Sequence, residues 1–386
     1  MTRAYLDHAS TSPLRPEARA AMVEALTGLG GDPGRIHEEG LAARQALEGA
    51  RDQVADLLGT RSRSVVFTSG ATEAIAAAVW GATDRARSRS GPGPAHHVVT
   101  AVEHSAVRQS AERAGEVTVV PVDRLGRVDP DAVLAAIRPD TAAVHVQWGN
   151  HEVGTVQPVA EVVAGCRERK VLVHVDAAQA AGRVPIAFDD LGADLLSVSG
   201  HKLGGPAGTG ALLVRRGLRV PALLVGGDQE RARRAGLEPV AALVGLGAAC
   251  AALAAPDAEG RVLDREAGEA ERLAGRLRSG VADLEGVEVY GDPDHRLPHL
   301  VCLGVDGVEP QGVLLGLDRA GVAAHSGSAC SSESLEPSPV LEAMGVDAHR
   351  SLRLSVGWST TDDDVDRALA ALPVTIDRLR ALAGGA

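Results

Sequence analysis

Seven short apolar runs punctuate residues 65–214, and stretches of helical periodicity separate most of them. They read Val65-Val66-Phe67-Thr68, Val98-Val99-Thr100, Val117-Thr118-Val119-Val120, Ala143-Val144-His145-Val146, Val171-Leu172-Val173-His174-Val175, Leu195-Leu196-Ser197-Val198 and Ala211-Leu212-Leu213-Val214. Strands that alternate with helices need crossover connections, which place helices on both faces of a largely parallel sheet. Runs that are apolar throughout, with no in-and-out alternation, suit strands buried on both faces. Helical spacing is clearest at Leu47, Ala50, Val54, Leu57 and Leu58, and it stops at Gly59, a helix-ending residue. The pattern predicts an α/β fold.

Beyond Pro256 the texture changes. A charged helical stretch over 261–284 leads into sparser strand signals at Val287–Tyr290, His299–Leu303, Val322–Ala324 and Leu352–Val356, and Thr361 is placed to cap a last helix. We expect a large domain over 15–256 and a smaller α+β domain from 1–14 and 257–386. The longest uncharged stretch, Val240 to Ala255, covers 16 residues. At about 1.5 Å per residue it falls short of a bilayer core of roughly 30 Å, so a buried helix is expected and no membrane partner. A net charge of −12, with no run of Lys and Arg, gives no stripe for a phosphate backbone. Only 7 of 386 residues are aromatic, too few for a base-stacking surface, so nucleic acid is not an expected partner. Cys166, Cys250, Cys302 and Cys330 form no CxxC pair, and residues 1–8 have no apolar segment. Reduced thiols and a cytoplasmic location are the expectation.

Ligands of an open parallel sheet bind beyond the carboxyl ends of its strands, so the residues just after each run carry the chemistry. After Thr68 comes Ser69-Gly70-Ala71-Thr72-Glu73, a small-residue turn into a helix, whose free N–H groups suit a phosphate; a plain helix cap would read the same. Asp176, with Gln179 three residues on, follows one run. Ser199-Gly200-His201-Lys202 and a glycine-rich turn follow another. A carboxylate and a lysine at the ends of buried strands are costly to desolvate unless partnered, and a structural salt bridge would also satisfy them. The glycine-rich turn lacks the closing Lys-Ser/Thr of a nucleotide loop. No metal site is assigned. Pyridoxal phosphate uses all these parts together: a lysine for covalent attachment, a carboxylate at the pyridine nitrogen and a phosphate cup.

These motifs, with Glu103-His104, His174-Val175-Asp176-Ala177-Ala178-Gln179 and Ser326-Gly327-Ser328-Ala329-Cys330-Ser331-Ser332, resemble the cysteine desulfurases of the class V aminotransferase superfamily, on the iron–sulfur-assembly and nitrogen-fixation branch. The resemblance runs nearly end to end and implies a fold-type I enzyme dependent on pyridoxal 5'-phosphate. It implies that Lys202 binds the cofactor, Asp176 pairs with its ring nitrogen, Gln179 reaches its phenolic oxygen and His104 stacks on the ring and moves protons. It also implies that Ala71, Thr72, Ser199 and His201 bind phosphate, and that Arg353 grips the substrate carboxylate. Cys330 would take the sulfur of L-cysteine as a persulfide, releasing L-alanine and serving a sulfur-acceptor protein, in a homodimer.

The sequence also departs from that pattern. His151 stands where the family usually has an asparagine on the phenolic oxygen, with Asn150 adjacent and able to substitute if the loop shifts. Asp32 and Ala76 replace common asparagines, and Leu237 replaces a hydroxyl residue that reaches the other subunit's phosphate. A selenocysteine lyase, a C–S β-lyase, a pathway-specific desulfurase and a low-turnover desulfurase-like scaffold remain alternatives on the sequence.

Overall fold

The computed structural model describes residues 3–91, 93–258, 260–327 and 337–384. All seven apolar runs form strands of one sheet: β1 (Val65–Thr68), β2 (Ala95–Thr100), β3 (Gly115–Val120), β4 (Thr141–Gln147), β5 (Leu172–Asp176), β6 (Leu195–Ser199) and β7 (Gly210–Val214). Their spatial order is β1-β7-β6-β5-β4-β2-β3. Every pairing is parallel except those of β7, which runs antiparallel to both β1 and β6. The reason is legible in the chain: between Ser199 and Gly210 there is a single 3-10 turn and glycine-rich loop, too short for a crossover, so the strand must return alongside its predecessor. β7 also approaches the turn after β1 closely. A Cβ on Gly210 would fall 2.6 Å from Gly70 Cα, so only glycine allows this contact.

Helices cover both faces of the sheet. Those that position the site are α1 (Ala71–Ser90) and α2 (Ser105–Ala114), which start directly beyond β1 and β2. Val240–Ala254 is helical and buries Leu243, Leu246, Ala249, Cys250 and Leu253 in the main core. No helix among the described residues is long and apolar enough to cross a membrane.

A second apolar core forms around β8 (Val287–Tyr290), β9 (Leu300–Val305) and β10 (Ser351–Ser355), an antiparallel sheet in the order β8-β9-β10. Leu6 packs into that core, and Ala4–Tyr5 pairs in parallel with Val322–Ala323. The N-terminal segment thus belongs with the last third of the chain. Thr361 caps the final helix, Asp362–Gly384: its hydroxyl accepts from the Asp364 N–H at 3.3 Å, and the Asp364 carboxylate accepts from the Thr361 N–H at 2.9 Å.

Candidate active site

Beyond the carboxyl ends of the strands lies a cavity of about 530 Å³. Most of its walls come from the strand ends of the main sheet or the loops after them. The turn after β1 brings Gly70, Ala71 and Thr72; β2 leads to His104; β4 ends at Gln147 and leads to His151; β5 ends at Asp176 and leads to Gln179. β6 ends at Ser199 and is followed by His201 and Lys202, while Ser10, His325 and Arg353 close the opposite side. Ten of the expected site residues therefore meet in one space, although they span 283 positions from Ala71 to Arg353.

The electrostatics follow from burial. Asp176 accepts from the Ala178 N–H at 3.1 Å and from the Ser197 hydroxyl at 2.8 Å, which orients its carboxylate at the strand end. Loss of solvent lowers the Lys202 ammonium to about 8, with Arg353 adding to the shift and Asp176 opposing it. His104 caps α2: its Nδ1 accepts from the Ala106 N–H at 3.1 Å. Burial, followed by the neighbouring His151, lowers His104 to about 4. The N-terminal turn of α1 offers N–H groups that the helix itself does not use, an anion cradle. Gln179 donates to the Ala9 carbonyl at 2.9 Å, and His201 lies 3.1 Å from the Thr11 hydroxyl.

Arg353 is buried and already engaged. One Nη1–H donates to the His151 carbonyl at 2.8 Å, while Nη2 donates to Asp7 at 3.1 Å and to Ser10 at 2.7 Å. Among the described residues its Nε is buried without a partner, and two of the five guanidinium N–H groups have no acceptor there.

The expected roles do not all survive the geometry. Asn150 does not line the cavity: its side-chain oxygen accepts from the Glu152 and Val153 N–H groups at 2.8 and 2.9 Å, and its amide donates to the Val102 carbonyl at 3.2 Å. The side chain is consumed in holding the turn, and His151 faces the cavity instead. Asp32, Ala76 and Leu237 also stand outside the cavity lining. Cys330 lies outside the described residues. Cys166, Cys250 and Cys302 are buried, and loss of solvent raises all three thiols.

Sequence reasoning gave no role to Asp7, Ser10, Glu103 or Glu152, although Glu103 stands in the Glu103-His104 motif. Glu103 is fully enclosed, with Oε1 accepting from the Thr100 hydroxyl at 2.7 Å and the Gln147 N–H at 2.9 Å. Burial raises it to about 8. A carboxylate directly before a candidate catalytic histidine was the available signal. Asp7 and Ser10 gave none, because their partner Arg353 lies more than 340 positions away.

A family model described as aminotransferase class-V matches residues 4–368. The cysteine desulfurase IscS of Methanosarcina thermophila is 40% identical over 384 residues, covering 97% of this chain and 92% of that protein. The cysteine desulfurase of Homo sapiens is 40% identical over 387 residues, covering 97% and 82%. Among solved structures, a NifS-like protein superposes with a TM-score of 0.86 at 28% identity, covering all of both chains. SspA in complex with cysteine superposes at 0.79 and 28% identity, covering 93% of this chain and 100% of that one. The chain belongs to the class-V aminotransferase family, among its cysteine desulfurases.

Proposed function

We propose that this protein converts L-cysteine to L-alanine with pyridoxal 5'-phosphate, passing the sulfur to Cys330 as a persulfide. The observation that carries the reading is the convergence of Lys202, Asp176, the open end of α1 and Arg353 on one cavity, in a chain similar over nearly its whole length to cysteine desulfurases. The donor set fits the cofactor. Lys202 would hold its aldehyde carbon, Asp176 its ring nitrogen, and Ala71, Thr72, Ser199 and His201 its phosphate. Gln179 and His151 stand for the phenolic oxygen, and His104 for the ring face. When bound, the cofactor supplies an electron sink for bond-breaking at the substrate α-carbon.

The chain's own residues do the rest. Arg353 orients the substrate through its carboxylate, a charge-assisted contact that a guanidinium fork suits. The lowered Lys202 holds an appreciable neutral fraction near pH 8, the form able to accept a proton or to attack a carbonyl. At Cys330 the thiolate attacks the substrate sulfur: an S–S bond forms, the C–S bond breaks, and its electron pair returns to carbon, where protonation gives alanine. The persulfide then leaves for a sulfur-acceptor protein.

A homodimer is part of the proposal. Residues 32–35, 228–231 and Glu238 share a second cavity, and Ile36, Val225 and Leu237, close to these residues in the chain, are exposed apolar side chains that a second copy would cover. The free buried thiols accord with a reducing, cytoplasmic setting.

The test measures alanine and protein-bound persulfide from L-cysteine and L-selenocysteine. Wild type should form both products from cysteine, and Cys330→Ser should lose both while cysteine still perturbs the cofactor spectrum. Pyruvate, ammonia and free sulfide from Cys330→Ser, at the rate at which wild type consumes cysteine, would make the enzyme a β-lyase instead.

A further inference from the structure

The motif that opens α1 contains one residue that the site does not explain. Glu73 stands in the first turn of α1 and borders the cavity, so a carboxylate lies where the helix gathers N–H groups for a phosphate. Left to itself, it would repel that anion. Arg234, 161 positions later, meets it: Nε donates to Glu73 Oε1 at 2.9 Å and Nη2 to Oε2 at 3.3 Å. We propose that Arg234 is a positioning residue for the cofactor's phosphate: it neutralises Glu73 and holds the carboxylate aside, so the first turn of α1 stays open to an anion.

Two sets of contacts carry this, and the first fixes the carboxylate. Glu73 Oε2 also accepts from the Ser69 N–H at 2.8 Å, while the first bond of the helix runs from the Ala74 N–H to the Gly70 carbonyl at 3.1 Å. The N–H groups of Gly70, Ala71, Thr72 and Glu73 therefore have no acceptor among the described residues. Both partners of the ion pair are largely out of water, with side-chain exposures of 21% for Arg234 and 12% for Glu73, so solvent screens them less than a surface pair. Burial raises the Glu73 carboxyl, but the bonds from Arg234 and Ser69 outweigh it and hold the group below the usual carboxylate range. Glu73 is charged at neutral pH and needs its cation.

The second set fixes Arg234. Glu230, Arg231 and Ala232 are all left-handed, with φ of 50°, 59° and 60°, a run that residues other than glycine rarely adopt. Such a backbone persists only where its surroundings over-determine it. Both carboxylate oxygens of Glu230 accept from the Arg51 guanidinium at 2.6 Å, and one accepts from the Phe67 N–H at 2.8 Å. Arg233 donates to the Val65 carbonyl at 3.0 Å. Val65 and Phe67 belong to β1, the strand that ends at the cradle. The strained segment is thus tied to β1 and delivers Arg234 to the turn that follows it.

The inference rests on the proposed function for the identity of the anion, and its test reads binding, not turnover. Full-length protein stripped of cofactor is titrated with inorganic phosphate, with pyridoxal 5'-phosphate and with pyridoxal, which lacks the phosphate. Arg234→Met should weaken both phosphate-bearing probes about 10-fold and leave pyridoxal unchanged. Glu73→Gln should bind phosphate at least as tightly as wild type, and the double variant should recover most of the loss. A double variant as weak as Arg234→Met overturns the inference, because Arg234 would then contact the phosphate itself. An equal loss for pyridoxal also overturns it, since the pair would be merely structural. Should Arg234→Met fail to fold, Glu73→Gln decides alone: weaker phosphate binding there overturns the inference. A chain that shows the expected pattern with inorganic phosphate yet attaches no pyridoxal phosphate defeats the proposed function and leaves the pairing of Arg234 with Glu73 standing.

Discussion

Arg353 meets the cavity with Asp7 and Ser10 on one nitrogen and a backbone carbonyl on the other, so a substrate carboxylate must join an existing network. A lysine there keeps the charge but loses the fork. Arg353→Lys should raise KM for cysteine about 10- to 100-fold, the worth of one charged hydrogen bond, with cofactor binding retained. Steady-state kinetics alongside a thermal melt check this, and an unchanged KM would remove Arg353 from substrate binding. Lys202 sets a second expectation. Only a neutral amine can attack the cofactor's aldehyde, and burial brings this amine to about 8. Yellow colour in the cofactor-free protein should therefore develop faster as pH rises through about 8 and level off above it. Lys202→Ala should stay folded and never form a borohydride-reducible link.

A row of imidazoles crosses the sheet through β2, β4 and β5. Thr83 Oγ1 lies 3.0 Å from His97, His97 lies 3.0 Å from His145, and His145 lies 3.1 Å from His174, all buried. Burial lowers His97 and His174 to about 4 and holds His145 well below 6.5. The folded chain keeps these rings neutral, whereas the unfolded chain takes up protons near 6.5. Their contribution is therefore fully present above 6.5 and is lost as pH falls toward 4. Each ring adds up to about 1.4 kcal/mol per pH unit to the slope. Urea midpoints measured from pH 7 to 4.5 should fall steeply, and His145→Gln should flatten the fall by about one proton. A flat profile would mean that the rings are charged in the fold. In sequence, His145 and His174 sit inside otherwise apolar runs as isolated polar residues, and His97 follows His96 directly before one. That they bond to one another depends on strand order, which no single run contains.

For the whole molecule, the expectation is a dimer in sedimentation and weaker association in Leu237→Asp, because a carboxylate in a closed apolar contact is costly to desolvate. Leu237 is 65% exposed in the single chain, so the same change should leave monomer stability within about 0.5 kcal/mol. A monomer at every concentration would remove the premise. The chain's own pattern determined the strands, the helices and the identity of Lys202, Asp176 and the turn into α1 as chemical groups, because buried strands must be apolar and polar groups at their ends are conspicuous. Tertiary structure decided the rest. It turned Asn150 away from the cavity and His151 toward it, since a turn needs its own backbone groups satisfied before a ligand can claim a side chain. It joined Arg353 to Asp7 and Ser10, and His97 to His174, across hundreds and tens of positions respectively. Hydrogen bonds and charge coupling act over a few ångströms of space, and folding alone sets which residues lie that close.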